Sequence, residues 1–205
     1  RQALALLDGL DADPQCPPQS ACRLQRDIAR IQPLADLGLA KEAAAQYEAV
    51  KDRVPALPPS SQLAAANAYM SLRQPDKALE IYAAVIAARD AYVPPITPDD
   101  LYRAQNGLFW AYLENEQLAD ALHQAEAVRE SCLHPTGGKP FLEDTDWKKS
   151  DADITLGYAW LYTDSLEKAE RHFRKITDNA PAESDAQNGL AVGQGLVVAH
   201  RRAVS

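Results

Sequence analysis

The stretch LGYAWLYTDSLEKAERHFRKITDNAP, which begins at Leu156 and ends at Pro181, decides the fold of this chain. It combines small residues, large apolar residues and a closing proline at fixed spacings. Small residues let two helices cross closely, large apolar side chains fill the space beside the crossing, and a proline cannot continue the second helix. The stretch therefore predicts two helices joined by a short turn. The positions that carry this prediction are Leu156, Gly157, Trp160, Ala169, Phe173 and Pro181.

This spacing is that of the tetratricopeptide repeat (TPR), Leu-Gly-x2-Tyr…Ala-x3-Phe…Pro, with Trp in place of the Tyr. The Ala-x3-aromatic step recurs twice earlier in the chain, and a weaker copy has alanine in place of the aromatic residue. The earlier steps are Ala43 to Tyr47, Ala78 to Tyr82 and, in the weaker copy, Ala121 to Ala125. Insertions lengthen the unit of about 34 residues, because loops grow at modest entropic cost while the stacked core stays fixed.

The repeats predict an all-α fold, a right-handed superhelical TPR solenoid of antiparallel helix pairs that forms a single domain over residues 1–205. No segment has the alternating pattern of a β-strand. The chain opens in mid-helix without a cap, which indicates a piece of a longer polypeptide. The predicted parts are a trailing helix at 1–10, repeats at 24–57, 59–92, 102–135 and 150–183, an inserted loop at 136–149, and a partial last repeat at 184–205.

The composition restricts the classes of partner. Of the residues, 46% are hydrophobic and 24% are charged, as in ordinary folded proteins. The net charge of −8 disfavours binding to nucleic-acid phosphates or anionic lipid. No run approaches the roughly 20 apolar residues of a membrane-spanning helix, so we expect no direct membrane insertion of this chain.

The cysteines leave two alternatives open. Cys16 and Cys22 flank the sequence PPQSA in a predicted loop. In an oxidising compartment they could close a small disulfide ring, and otherwise they are two unpaired thiols. We expect Cys132 to be a packed residue near a helix end.

No catalytic or metal-binding constellation converges in the sequence. The histidines lack the spacing of a shared metal site, and no zinc signature, nucleophile elbow, phosphate loop or dinucleotide fingerprint occurs. We therefore expect no enzyme activity, no metal and no cofactor. The histidines are His123, His134, His172 and His200.

The candidate site is a groove. The first helices of a TPR solenoid line its concave face, and a stripe at i, i+4 and i+7 of each helix points into it. Aromatic rings among amides and carboxylates suit a sugar polymer, since rings pack against pyranose C–H faces. The alternative is that the rings pack against the adjoining helix pair. The candidate residues are Asn67, Asn106, Trp110, Asp151, Tyr158, Tyr162, Asp185 and Asn188, and the apolar members of the stripe include Leu63, Ile154 and Leu161.

Three stretches resemble one family. They are LAAANAYMSLRQPDKALEIYAAV from Leu63, LFWAYLENEQLADALHQAE from Leu108, and TDSLEKAERHFRKITDNAPAESDAQNGLAV from Thr163. Together they resemble the periplasmic repeat region of the outer-membrane poly-β-1,6-N-acetylglucosamine exporters of the PgaA/HmsH type. The element LRQPDKA, from Leu72 to Ala78, contributes most to this resemblance.

The resemblance implies the periplasmic portion of an outer-membrane protein in a Gram-negative bacterium. Its repeats would meet the partly de-N-acetylated poly-N-acetylglucosamine polymer and the periplasmic deacetylase, guiding polymer to the pore during biofilm formation. Our leading hypothesis is such a non-catalytic binding scaffold. The alternative is a TPR scaffold that binds only protein. A third hypothesis, a chaperone adaptor for acidic peptides, needs more cations than the stripe offers.

Overall fold

The computed structural model describes residues 17, 20–54, 56–133, 146–179, 191 and 194. All regular elements among these residues are helices, which confirms the predicted all-α class. The α-helices are α1 (Ala21–Ala29), α2 (Ile31–Asp36), α3 (Ala40–Val50), α4 (Pro59–Ser71), α5 (Pro75–Ala87), α6 (Pro98–Glu114), α7 (Leu118–Leu133), α8 (Asp146–Tyr162) and α9 (Leu166–Asn179), with short 3-10 helices at Lys51–Arg53 and Arg89–Ala91. None of the described helices is long and apolar enough to cross a membrane.

Two helices begin before the predicted repeats at 102–135 and 150–183 do. Helix α6 begins at Pro98, because Thr97 caps it and its Oγ1 accepts a hydrogen bond from the Asp100 backbone N–H at 3.0 Å. Helix α8 begins at Asp146, so the end of the predicted loop at 136–149 is helical. The predicted elements at 1–10 and 184–205, and the rest of that loop, lie outside the described residues.

Proline sets several helix boundaries in the first half of the chain. Helices α4, α5 and α6 each have a proline at the first or second position, where a missing N–H costs no intrahelical hydrogen bond. Pro33 lies inside the first helical region and cannot donate to the carbonyl of Ala29. The region is accordingly divided into α1 and α2 at Arg30.

The turns before α3, α5, α7 and α9 share one backbone feature. Each contains a residue with positive φ, and this residue stands five positions before the alanine of the Ala-x3 step. The residues are Gly38 (φ 74°), Arg73 (57°), Glu116 (59°) and Asp164 (58°). The corresponding alanines, Ala43, Ala78, Ala121 and Ala169, are each 0% exposed, as predicted for small residues at close helix crossings. The repeat thus fixes both a turn geometry and a buried small residue.

Glycine at position 116 is expected to stabilise the protein. Glu116 is exposed, and a side chain longer than that of Asn or Asp pays a steric cost at positive φ. Glu116→Gly should raise the free energy of unfolding by about 0.5–1 kcal/mol in denaturant titrations. Asp164→Gly should change it less, because aspartate tolerates this conformation better. A loss of stability in Glu116→Gly would contradict this prediction. It would show that the Glu116 side chain stabilises the fold by more than its positive φ destabilises it.

The chain divides into two compact units, unit 1 at Arg1–Asn115 and unit 2 at Glu116–Ser205. The division falls within the predicted repeat 102–135. In unit 1, α4 contacts α2, α3, α5 and α6, and α5 also contacts α6. Its fully buried large side chains include Ile31, Val50, Leu63, Tyr82 and Val85.

Unit 2 is built around α8, which contacts both α7 and α9. Phe173 of α9 is 0% exposed, and a Cβ built on Gly157 of α8 would lie 2.5 Å from its ring. A side chain at position 157 would therefore separate the two helices. The predicted role of Gly157, a small residue at a helix crossing, is confirmed.

Candidate functional site

The candidate residues of unit 1 lie on two helices that touch. Asn67 is on α4 and Asn106 and Trp110 are on α6, and α4 and α6 are in contact. Asn67 is exposed, Asn106 is half-buried, and Trp110 is 37% exposed. We call Asn67, Asn106 and Trp110 the unit 1 surface.

Tyr82 of α5 connects the two halves of the unit 1 surface. Its hydroxyl donates a hydrogen bond to Oδ1 of Asn67 at 2.5 Å. Its ring lies under α6, where a Cβ built on Gly107 would be 2.4 Å from the ring Cζ. Gly107 precedes Trp110 by less than one helical turn, so this single tyrosine brings Asn67 and the Trp110 segment together. Sequence reasoning identified Tyr82 only as a core aromatic residue.

Trp110 is anchored while part of its indole stays accessible. The ring stands edge-on to Phe109, with the centroids 4.9 Å apart, and Phe109 is 0% exposed. Such an edge-to-face pair contributes about 0.5–1.5 kcal/mol beyond area burial. Trp110 is therefore both a packed residue and an accessible ring.

The candidate residues of unit 2 that the structure describes lie on α8. Tyr162 is 53% exposed, whereas Asp151 and Tyr158 are half-buried. The ring of Tyr158 stands edge-on to Phe173 with the centroids 5.3 Å apart, so it packs against the core of its own helix pair. Asp185 and Asn188 lie outside the described residues.

The apolar members of the predicted stripe do not line a surface. Leu63, Ile154 and Leu161 are 1%, 7% and 9% exposed. A stripe at i, i+4 and i+7 spans a wide arc of the helix, and its apolar edge turns towards the core. The predicted groove lining is wrong at these three positions.

A polar cluster in unit 2 joins α7, α8 and α9. Arg129 donates through Nε to Oδ1 of Asp153 at 2.5 Å. The Nε2–H of His172 donates to the backbone carbonyl of Asp153 at 2.9 Å, and the ring stands edge-on to Trp160. Burial, the largest cause, lowers the pKa of His172 below its ordinary value, although the Asp153 carbonyl and carboxylate oppose this. The cluster therefore links the three helices by hydrogen bonds. His172 is neutral at pH 7, because its pKa is lowered.

Unit 2 is expected to lose stability as the pH falls below about 6.5, the ordinary pKa of histidine. Because the pKa of His172 is lowered in the folded state, the unfolded chain binds more protons at mildly acidic pH, and protonation favours unfolding. Denaturant midpoints measured from pH 7.5 down to about pH 5.5 should fall for the wild type and fall less for His172→Gln. His123→Gln is the control, since His123 is exposed. Equal pH dependence in all three chains would contradict this assignment.

Cys22 is disulfide-bonded, and its Sγ accepts a hydrogen bond from Nη2 of Arg26 at 3.3 Å. The partner sulfur belongs to a side chain outside those that the structure describes, a group that includes both Cys16 and Cys132. The pairing of Cys22 with Cys16 stays a prediction. Among the described residues, no group of three His, Cys, Asp or Glu side chains could hold a metal ion.

Solved structures similar to this chain are repeat proteins. MamA AMB-1 has a TM-score of 0.61 and 16% identity, over 90% of this chain and 87% of that chain. MamA MSR-1 has a TM-score of 0.59 and 16% identity, over 88% and 90%. A kinesin light chain-like protein of Podosopora anserina with nearly identical TPR-like repeats has a TM-score of 0.63 and 18% identity, over 91% and 92%. No family model and no curated protein matches the sequence.

These similarities confirm the predicted TPR fold. At such low identity they show the fold alone. Stacked repeats of this kind present extended surfaces.

Proposed function

We propose that this chain is a non-catalytic TPR scaffold whose unit 1 surface binds an extended segment of a partner protein. The observation that carries the proposal is the contact between α4 and α6, which places an exposed asparagine and an accessible tryptophan on adjacent helices joined by Tyr82. Interface hot spots are enriched in tryptophan, and an amide side chain can hydrogen-bond a peptide backbone. The Asn67 side chain contacts the buried Tyr82, and the Trp110 ring contacts the buried Phe109. Because these contacts already restrict both side chains, binding costs little further side-chain entropy.

The resemblance to the exporters narrows this proposal. It suggests a periplasmic portion of an outer-membrane poly-N-acetylglucosamine exporter, and the periplasmic deacetylase as the protein partner. The disulfide at Cys22 supports an oxidising compartment, because such bonds are rare in reducing cytosol.

A second candidate function is direct binding of the partly de-N-acetylated polymer. Two accessible rings favour it, Trp110 in unit 1 and Tyr162 in unit 2. Each could pack against a pyranose face, and the net charge of −8 suits scattered glucosamine ammonium groups. Exposed charge pairs are worth only about 0–1 kcal/mol, so many weak subsites would have to act together.

Loss of Trp110 is expected to weaken binding of the deacetylase. Trp110→Ala should cost about 2 kcal/mol, or roughly thirtyfold in Kd, in calorimetric titrations with the purified deacetylase. Leu39→Ala is the matched control, because Leu39 is an exposed apolar residue of unit 1 with 38% exposure, outside the proposed surface.

Soluble, partly deacetylated glucosamine oligomers separate the two candidate functions. If they shift the Trp110 fluorescence at millimolar concentration, the polymer is a ligand of this surface. Protein binding without any glycan effect supports the protein scaffold. If neither ligand binds, or if Trp110→Ala and Leu39→Ala behave alike, the unit 1 surface is not the binding site.

A further inference from the structure

Tyr82 fixes the orientation of the Asn67 side chain. The Tyr82 hydroxyl donates to Oδ1 of Asn67, and the tyrosine is 1% exposed. Among the described residues, no other acceptor bonds this hydroxyl. Burial, the largest cause, raises the pKa of Tyr82, so the hydroxyl keeps its proton. Arg103 lies close enough to lower that pKa, but a guanidinium has no acceptor for the proton.

The opposite orientation of the amide is disfavoured. Turning the amide around would place Nδ2 against the hydroxyl, and the tyrosine proton would then be buried without an acceptor. Leaving a buried donor unpaired costs more than an ordinary hydrogen bond contributes. Oδ1 therefore faces Tyr82, and the Nδ2 hydrogens of the exposed Asn67 side chain face outward. Within the part of the chain that the structure describes, these hydrogens donate to no group.

We infer that Tyr82 is a positioning residue that makes Asn67 a fixed hydrogen-bond donor, and that this donor binds a backbone carbonyl of an extended partner segment. The inference rests on the proposed protein-binding function and adds the chemistry of one contact. Asn67 is the residue that contacts the ligand, and Tyr82 acts on binding only through Asn67.

The fixed orientation of the donor benefits a ligand group that only accepts more than one that both donates and accepts. Sugar hydroxyls both donate and accept, so they could meet either orientation of an amide. A peptide carbonyl only accepts, so it gains from an Nδ2–H that is already aimed at it. Trp110 lies on the neighbouring helix α6, which Tyr82 ties to Asn67 through its contact with Gly107. The indole then serves as the apolar anchor for a side chain of the same segment.

The probe for the test is a peptide selected from a random library for binding to the wild-type chain. Asn67→Asp should weaken its binding about tenfold or more, because a carboxylate oxygen would replace the donor and face the ligand carbonyl. Tyr82→Phe should weaken it about two- to fivefold, since the ring keeps its place under Gly107 while the amide turns freely. Tyr69→Phe is the matched control and should stay within about twofold. Tyr69 is on the same helix as Asn67, and its hydroxyl donates a hydrogen bond to Glu48 that is also 2.5 Å long. The control variant loses this bond.

A backbone ester scan of the same peptide reports on the donor itself. Ester carbonyls are weaker acceptors than amide carbonyls. One ester position should weaken binding to the wild type and have no such effect on Asn67→Ala. A purely structural role of Tyr82 or Asn67 would not produce this position-specific coupling.

The outcomes separate this inference from the proposed function. If the peptide binds, needs Trp110 and is indifferent to both Asn67→Asp and Tyr82→Phe, the donor assignment is overturned and the scaffold stands. Tighter binding by Asn67→Asp also overturns it, because the partner would then supply the donor. If N-acetylglucosamine oligomers depend on Asn67 and Tyr82 while peptides do not, the assignment to a peptide carbonyl is overturned. If the wild type retains no peptide, the inference and the protein-binding function fail together.

Discussion

Replacing Phe173 with alanine is expected to lower the free energy of unfolding of unit 2 by about 3–5 kcal/mol. The ring is 0% exposed and lies between α8 and α9. Gly157 abuts the ring and has no side chain that could move into the vacated space. Tyr158 touches the ring edge-on at 5.3 Å and loses that contact as well. The cavity would therefore collapse poorly, which places the cost in the upper part of the range for large-to-small substitutions.

Denaturant titration and hydrogen exchange of the α8 and α9 amides measure this loss. The exchange data assign the effect to unit 2, which matters because a chain with two compact units need not unfold in one step. Tyr162→Ala is the control, since it removes an aromatic side chain of α8 that is 53% exposed. It should change stability by about 0.5 kcal/mol or less. A cost below about 1 kcal/mol for Phe173→Ala would mean that the ring is not a core residue.

The sequence was sufficient to predict Phe173 because the TPR motif fixes both residue type and separation. A small residue at 157 and a large ring sixteen positions later fit together only when the two helices cross at that point. The buried alanines of the Ala-x3 steps follow for the same reason. The start of α6 at Pro98 was missed, because the predicted repeat was placed at 102–135. Thr97 and Pro98 are in fact a helix cap and a first helical residue.

The candidate surface was predictable only to the level of a helix face. Among the candidate residues, the side chains of Asn67, Trp110 and Tyr162 are exposed. Periodicity could not separate them from Tyr158, because a residue at the edge of a face turns inward or outward according to its neighbours. Phe173 draws the Tyr158 ring towards the core.

Contacts between distant residues were beyond sequence reasoning. The Tyr82–Asn67 hydrogen bond joins atoms on two helices, and its direction depends on which acceptor the buried hydroxyl can reach. Nη1 of Arg73 donates to both carboxylate oxygens of Glu114, and these two residues are far apart in the chain. Repeat spacing determines which helices are neighbours, whereas side-chain rotamers determine which atoms meet. A single sequence carries the first kind of information far better than the second.

Replacing Gly107 with alanine is expected to destabilise unit 1 by about 1–3 kcal/mol or more. The new Cβ would lie 2.4 Å from Cζ, 2.5 Å from Cε1 and 2.9 Å from the hydroxyl oxygen of Tyr82, all shorter than any van der Waals contact. The ring has nowhere to withdraw, because it is 1% exposed and its hydroxyl is bonded to Asn67. Relief therefore requires that α6 move away from α5, at the expense of the packing between them.

A double-mutant cycle distinguishes this clash from a general intolerance of α6 to substitution. Gly107→Ala combined with Tyr82→Leu should be less destabilised than the sum of the single variants by about 1 kcal/mol or more, because the shorter side chain vacates the contested space. Gly38→Asn is the matched glycine control, since no atom lies within 4 Å of its Cβ position and asparagine tolerates its φ of 74°. It should change the denaturant midpoint little. Strict additivity in the cycle would refute the close contact, and with it the role of Tyr82 as the residue that joins the two halves of the unit 1 surface.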